Sequence, residues 1–507
     1  MGHPRGEGGR TLARALLESL QRLLEEGPYE ARVVGGAVRD RLIGRDPNDL
    51  DVVVVGPALR LARALADRVG GFFYILDARR EFGRVVWRSP EGRRFYVDLT
   101  RRDGLSWEED LRRRDFTINA MMIDLDAFLG AGPLVPFDPL GGLEDLRAGR
   151  LRPCAPEAFH QDPVRILRAV RFEAEFGLRM TAEAEQALQE ALPGLIRVAP
   201  ERVREELVKI LLIPPLVRSL RRMEELGILP EVLPEVANLR GVGQSPPHVW
   251  DVYEHTLRTV AAMERLLGDF EESPELQDLP PRWAEIEEGM APWRERLRAR
   301  WEEEVAADHP RRALLLLTAL LHDIGKPATR TVEPDGRVRF IGHEQVGAEW
   351  AVHRLEALRF SNDEMEEIEI LVRHHMRPHG LARGRITPRA IYRFFRDVGA
   401  LGVDLTLLAL ADTLAVWGPT LTDAVWAPRL RVAQILWQAF FEAPERFVRP
   451  VPLIRGEDLL SLGVPEGPQI GRILEAIREA QAAGEVTTRE EALALARRLL
   501  NELGLRS

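Results

Sequence analysis

The chain is 507 residues long, 45% hydrophobic and 30% charged, with a formal net charge of −10 at pH 7. This length exceeds what one hydrophobic core organises and predicts two to four domains, while the acidic balance excludes a surface that is basic all over, so binding of nucleic acid would need a local basic face. The single cysteine, Cys154, excludes an internal disulfide and a cysteine metal cluster.

Residues 1–10 are polar and glycine-rich, unlike a secretion signal, and no apolar run approaches a membrane span; both predict a cytoplasmic protein without a membrane partner. Residues 11–26 place Leu12, Leu16, Leu17, Leu20, Leu23 and Leu24 at helical spacing and predict a packing helix. Residues 31–34 read as a short strand, followed by Gly35-Gly36 and an amphipathic helix from Ala37 that stops at Gly44. Glycines between a strand and a helix let the backbone approach a polyphosphate, with Arg39 and Asp40 in the first helical turn.

The stretch from Asn48 to Val55 follows, with four consecutive valines that read as a buried central strand. Residues two apart in a strand share a face, so Asp49 and Asp51 lie side by side. Two such carboxylates repel unless a cation sits between them, and hard oxygen ligands favour Mg²⁺. A helix from Pro57, strands at 72–76 and 84–88, a turn at Ser89-Pro90-Glu91-Gly92 and a strand at 94–100 complete a hairpin-rich sheet. In the last strand Arg94, Tyr96 and Asp98 share a face, making Asp98 a candidate third carboxylate that holds a metal or accepts a proton.

Next come Arg113-Arg114-Asp115-Phe116-Thr117-Ile118-Asn119-Ala120, in which either arginine can neutralise phosphate while Asp115 and Asn119 fix the arginines or hold a ribose. Residues 138–146 form a turn and a helix start. Asp162-Pro163 opens a further helix, where Asp162 is either an N-cap or one end of a polar edge with Arg165 and Arg168. The pattern is helical from 181 to 233. An acidic, proline-containing insert at 269–308 reads as loosely ordered. Around it stand His255, His322-Asp323, His343, His374-His375 and Asp412, a set of neutral imidazoles and carboxylates suited to a divalent transition metal. Amphipathic helices end the chain.

Gly35-Gly36-Ala37-Val38-Arg39-Asp40 followed by Asp49-Leu50-Asp51 resembles the first signature of the tRNA nucleotidyltransferase and poly(A) polymerase family, and residues 113–120 resemble its second. Residues 138–146 resemble its third, a join between head and neck. The resemblance implies an α+β protein: a nucleotidyltransferase head of the polymerase-beta type with a small mixed sheet at 1–135, an all-helical neck at 136–235, an HD domain at 236–445 and a helical arm at 446–507. It implies catalytic Asp49, Asp51 and Asp98 with Mg²⁺ on the first two, and nucleotide contacts from Gly35, Gly36, Arg39, Arg113, Arg114, Asp115, Asn119 and Arg171. Asp162, Arg165 and Arg168 would pair with the base edge of CTP or ATP; Gln161 stands where many relatives have Glu. The histidine and aspartate set resembles the metal site of the HD phosphohydrolase superfamily.

The activity so implied is nucleotide addition to the 3′ end of tRNA without a nucleic-acid template. Complete CCA-adding relatives carry a longer flexible loop where this chain has the connector 100–107, so CC addition from CTP is favoured. The alternatives are a full CCA-adding enzyme or poly(A) polymerase, an HD phosphodiesterase or phosphatase with an RNA-gripping head, and a non-catalytic RNA-binding protein.

Overall fold

The structure, a computed structural model, describes residues 8–47, 49–89, 94–130, 134–268, 272–306 and 309–502. Asn48 and the 90–92 part of the expected turn lie outside the described residues. The chain divides into two compact units, Met1–Val198 and Ala199–Ser507. That division falls inside the expected neck, so the first unit holds the head together with the base-edge helix.

In the first unit, helix α1 (Gly8–Glu26) precedes β1 (Glu30–Val34), α2 (Gly36–Leu42), β2 (Asp49–Val55), α3 (Ala58–Val69), β3 (Phe72–Asp77), β4 (Phe82–Arg88), β5 (Arg94–Arg101), α4 (Trp107–Arg112) and β6 (Met122–Asp124). The six strands form one mixed sheet in the order β3-β4-β5-β2-β1-β6, with β2 and β5 parallel and every other pair antiparallel. The valine strand is central, and its alternation decides what each face buries. Val52 and Val54 pack with Leu16, Leu20, Leu61 and Leu65 of α1 and α3. Val53 faces the other way, onto a smaller cluster with Val34, Leu111 and Met122. Asp49 and Asp51 share the face of Val53 because side chains alternate along a strand. Helix α3 begins after Pro57 as expected and ends at Gly70, whose left-handed backbone (φ 66°) a side chain would resist.

Residues 138–146 make the expected turn and helix start: both Asp138 carboxylate oxygens accept backbone amides, from Gly142 and Leu143. Asp145 is buried and accepts from Thr117 Oγ1 at 2.7 Å and from Arg150 and Arg152, so it is consumed in structure. Further on, α5 (Arg165–Phe176) starts after Val164, and no side chain caps it. The reading of Asp162 as an N-cap is therefore replaced by a position ahead of the helix.

The second unit is helical: α6 (Pro200–Leu211), α7 (Val252–Leu267), α8 (Trp283–Met290), α9 (Arg294–Trp301), α10 (Arg311–Leu321), α11 (His343–Ala357), α12 (Asn362–His374), α13 (Pro388–Val398), α14 (Gly402–Trp417), α15 (Asp423–Glu442), α16 (Pro468–Ala483) and α17 (Arg489–Glu502) are its main elements. The expectation of a loosely ordered insert at 269–308 is overturned among the described residues. Trp293, Leu297 and Trp301, spaced by four, are buried, and Trp293 stacks on Phe441. Arg300 pairs with the fully buried Asp404 at 2.9 Å and 2.5 Å. High charge hid an amphipathic stripe that helical spacing exposes. The expectation that no apolar run is long enough for a membrane span also changes: Pro388–Thr420 passes on length and composition, but 89% of its most apolar window is buried inside the protein. The last helices close a small core of their own around Leu459, Ile473, Ile477 and Ala496, tied to α13 by Arg393–Glu479 and Arg396–Glu475 pairs.

One buried pair makes the second unit's stability depend on pH. His309 Nδ1 lies 2.6 Å from Glu364 Oε1, with Glu205 3.5 Å from its other ring nitrogen. Burial works against the imidazolium, but Glu364 and Glu205 raise its pKa overall; burial likewise works against the Glu364 carboxylate, which His309 and the Ser361 amide bring below its usual range. The His309 contribution is complete below the usual histidine pKa and is lost as pH rises through the raised one. The Glu364 contribution is complete above the usual glutamate pKa and is lost as pH falls through the lowered one. Replacing His309 by Leu should therefore lower the melting temperature most between about pH 4.5 and 6.5, with the gap to the wild type closing on either side in scanning calorimetry.

Candidate active sites

Strand β1 ends beside Asp51, since Val34 pairs with Asp51 across the antiparallel ladder. Gly35 therefore turns directly over that carboxylate. Its backbone (φ 76°, ψ −142°) belongs to a region nearly reserved for glycine, and a Cβ there would sit 2.8 Å from Asp51 Oδ2. Gly36 opens α2, and both glycines line a cleft of about 630 Å³ with Asp49, Asp51, Arg114, Arg165, Arg168 and Arg171.

Asp51 is the strained member of this cleft. Burial pushes its pKa up to about 6, with Asp98 and Asp49 adding to the rise and Arg114 opposing it. Asp98 stands opposite Asp51 in the parallel β2–β5 register, bringing the three carboxylates together. Its side chain is held by Arg84, whose Nε and Nη2 each donate at 2.8 Å. Sequence reasoning missed Arg84, although its place opposite Asp98 on the hairpin was open to it. A buried carboxylate crowded by two others is an environment that a hard divalent cation would relieve, so Asp49 and Asp51 fit Mg²⁺.

The arginines divide by what already holds them. Arg114 lies next to Asp51 and reaches Asp110 at 3.3 Å. Arg113 turns away, to Asp103 of the connector, and does not line the cleft. Arg39 is buried: its Nη1 donates to Asn119 at 2.6 Å, its Nε and Nη2 to Asp40, and its plane lies 4.0 Å from the Phe176 ring centroid. That set of partners makes Arg39 a clamp between α2, the second signature and α5, with Phe176 a residue the sequence did not single out. Asp115 accepts from the Phe116 amide and Asn119 and lies 3.4 Å from Arg168; although burial opposes its charge, Arg168 and these donors hold its pKa below the usual range. Arg165 donates to the Arg113 and Ala158 carbonyls, and Arg171 lies over Phe172 and reaches Glu175. Asp162 does not line the cleft.

A second cluster lies in the other unit, where α7, α10, α11, α12 and α14 bring distant residues together. His255 Nε2 lies 3.3 Å from His322 Nε2 and 3.3 Å from Asp323 Oδ2, and Asp412 Oδ1 is 3.1 Å from His255 Nε2. On the opposite oxygen of Asp323, His343 Nε2 stands at 3.3 Å and lies 3.2 Å from His375 Nε2. The Nδ1 atoms of His322, His343 and His375 each face a backbone carbonyl at 2.7–2.8 Å, so they donate and leave the Nε2 lone pairs turned inward. Burial and the neighbouring histidines push His375 down to about 3, keeping it a neutral ligand. Two groups, His255-His322-Asp323 and Asp323-His343-His375, bring their ligand atoms close enough to hold a metal ion each, with Asp323 common to both. His374 is not part of this group: it is half-buried near Arg377 and Asp397, because its neighbour His375 takes the inward position at the end of α12. His379, which the sequence reading passed over, joins it instead, with Nε2 2.9 Å from Asp412 Oδ2. The cluster opens into a cavity of about 710 Å³ lined also by Lys326, Arg383, Arg429 and Trp417.

Comparison with known proteins adds to this geometry. Residues 31–152 match the family model of the poly A polymerase head domain, 177–239 that of the probable RNA and SrmB-binding site of polymerase A, and 252–417 that of the HD domain. The chain is 38% identical over 479 residues to the CC-adding tRNA nucleotidyltransferase of Thermus thermophilus, covering 92% of this chain and 93% of that one. It is 34% identical over 485 residues to the A-adding tRNA nucleotidyltransferase of Deinococcus radiodurans, covering 94% and 96%. The fold is similar to that of the Thermotoga maritima CCA-adding enzyme complexed with tRNA, with a TM-score of 0.53 at 22% identity over 96% of this chain and 95% of that one.

Gly35→Ala tests the first cleft. Backbone strain of about 1–3 kcal/mol should appear as lost stability in denaturant unfolding, whereas Gly70→Ala, with open space around its Cβ, should cost only the left-handed penalty of about 1–2 kcal/mol.

Proposed function

The chain belongs to the tRNA nucleotidyltransferase and poly(A) polymerase family and adds nucleotides to the 3′ end of tRNA, and from that premise we propose that it adds the two cytidylates, using CTP and no nucleic-acid template. The observation that carries the CC reading is the connector between β5 and α4. The Leu105 amide donates to Glu109 Oε2 at 2.6 Å, the Asp103 amide to Asp110 at 3.0 Å, and the Asp103 side chain pairs with Arg113. Ser106 and Glu109 complete a reciprocal cap at the start of α4. A connector pinned at so many points holds one geometry, whereas a change from CTP to ATP after two additions needs a segment that can move.

Asp49 and Asp51 are the residues that would hold Mg²⁺; the ion would supply charge neutralisation at the triphosphate and lower the pKa of the attacking 3′-hydroxyl. The remaining work belongs to the chain's own residues. Arg114, beside Asp51, and Arg171 bind the triphosphate. Arg168, oriented by Asp115, presents a planar donor fork to the cytosine edge, with Arg165 beside it in the cleft; Asp162, which stands outside the cleft, takes no part in this selection. The 3′-hydroxyl gives up its proton to Asp98 and attacks the α-phosphorus in line, the bond to the β-phosphate oxygen breaks and pyrophosphate leaves, and the arginines stabilise the charge developing on it. Arg84 keeps Asp98 facing Asp51. Arg39 acts by clamping α2 against Asn119 and Phe176.

The histidine cluster supports a second reading. His255, His322, His343, His375, His379, Asp323 and Asp412 would hold two divalent transition metals, which supply Lewis acidity for phosphoester hydrolysis when bound.

Single-nucleotide extension of tRNA transcripts ending at the discriminator base, after one C and after CC, tests the first reading. Two C additions and no A are expected; A added to the CC-ended transcript would overturn the CC assignment. Asp49→Ala should lower C addition by about 10³-fold or more, while His322→Ala leaves it within about twofold. In metal analysis after Mn²⁺ loading, His375→Ala should lose one transition metal and Asp323→Ala, which removes the bridge, should lose both.

A further inference from the structure

Arginines in this part of the second unit are commonly taken up by carboxylates: Arg339, on the cavity wall, pairs with Glu333, and away from the cavity Arg377 pairs with Asp397, Arg389 with Glu485 and Arg393 with Glu479. Four are not. Among the described residues, no carboxylate stands within ion-pair distance of Arg383, Arg385, Arg429 or Arg431. Arg429 is half-buried on α15, and its one side-chain hydrogen bond goes to the Val425 carbonyl at 2.7 Å. Burial lowers its pKa, Arg383 lowers it further, and Asp412 alone opposes this. A guanidinium kept in such a place without a partner is costly unless an anion completes it.

The four are also arranged in sequence along one path. Arg383 and Arg429 line the 710 Å³ cavity that holds Asp323, His343 and Asp412. Arg383 is shared with an adjoining cavity of about 590 Å³, which Arg385 and Arg431 line together with Leu381, Ile386, Pro428 and Ile435, and which no acidic residue lines. Moving outward from the metal ligands, a ligand meets two arginines, then two more, against apolar walls.

We infer that these arginines form a phosphate track leading into the histidine and aspartate cluster, so that the ligand of this cavity is a phosphoester with further phosphates behind the one at the metals, in the form of a short single-stranded RNA. An isolated phosphate would use the metal cluster alone and leave the outer pair idle. A polyphosphate has the anions but nothing to set against the apolar walls, whereas nucleotide bases stack or pack on such surfaces. The inference rests on the hydrolytic reading of the cluster for what happens to the ligand, but not for its binding.

Arginine footprinting of the full chain with phenylglyoxal, read by peptide mass spectrometry, tests it residue by residue. With the trinucleotide CpCpC, modification of Arg383, Arg429 and Arg431 should slow by about fivefold or more, weakening as salt rises; inorganic phosphate should change Arg431 by less than about twofold. No protection by CpCpC, or equal protection by inorganic phosphate, overturns the track. Protection by tripolyphosphate without protection by CpCpC overturns the RNA assignment. The footprint is run in EDTA and again with Mn²⁺. A chain that binds no Mn²⁺ at the cluster ends the hydrolytic reading, while the EDTA footprint still decides the arginine track.

Discussion

Asp51 is a carboxylate that the fold buries and then crowds. Strand β2 must be central, because its valines fill both sides of the sheet; that places Asp51 under Gly35 and opposite Asp98, with burial and two neighbouring carboxylates raising its pKa to about 6. The head is arranged to tolerate this. Gly35 supplies the space, Arg114 the nearest positive charge, and Arg84 takes Asp98 in a two-point grip that keeps a third carboxylate from swinging free. Crowded carboxylates of this kind are an environment that a hard divalent cation would relieve.

The second cluster is built from different atoms. Nε2 atoms of paired histidines stand 3.2–3.3 Å apart, and in His322, His343 and His375 a backbone carbonyl takes the Nδ1 proton. In the head the carboxylates repel one another, whereas in the second cluster Asp323 and Asp412 are already offset by Lys326 and the histidines around them. The two sites differ in donor hardness, with carboxylate oxygens in the head and imidazoles around one shared aspartate in the second unit.

Partnering of arginine separates structural from functional positive charge. Arg39, Arg84 and Arg113 are committed to Asp40 and Asn119, to Asp98 and to Asp103. Each positions something else. Arg114 faces Asp51, and Arg429 and Arg383 face the second cavity without ion-pair partners among the described residues. In a chain whose cations are nearly all arginine, composition says little about which of them meet phosphate. Their neighbours decide.

By itself the sequence determined the strand that carries Asp49 and Asp51, the glycine turn ahead of it, the second signature and the ordered series of histidines and aspartates, because valine runs, glycine pairs and short motifs express local backbone preferences and local chemistry. It also pointed to the short connector. Only the tertiary structure decided that Arg84 holds Asp98, that Arg113 leaves the cleft, that His379 rather than His374 stands against Asp412, and that the acidic insert packs through Trp293, Leu297 and Trp301. Each of those outcomes depends on which residues from distant elements come face to face: the spacing of a segment can show a stripe such as Trp293, Leu297 and Trp301 or a hairpin register such as Arg84 opposite Asp98, but not what the side chains finally meet.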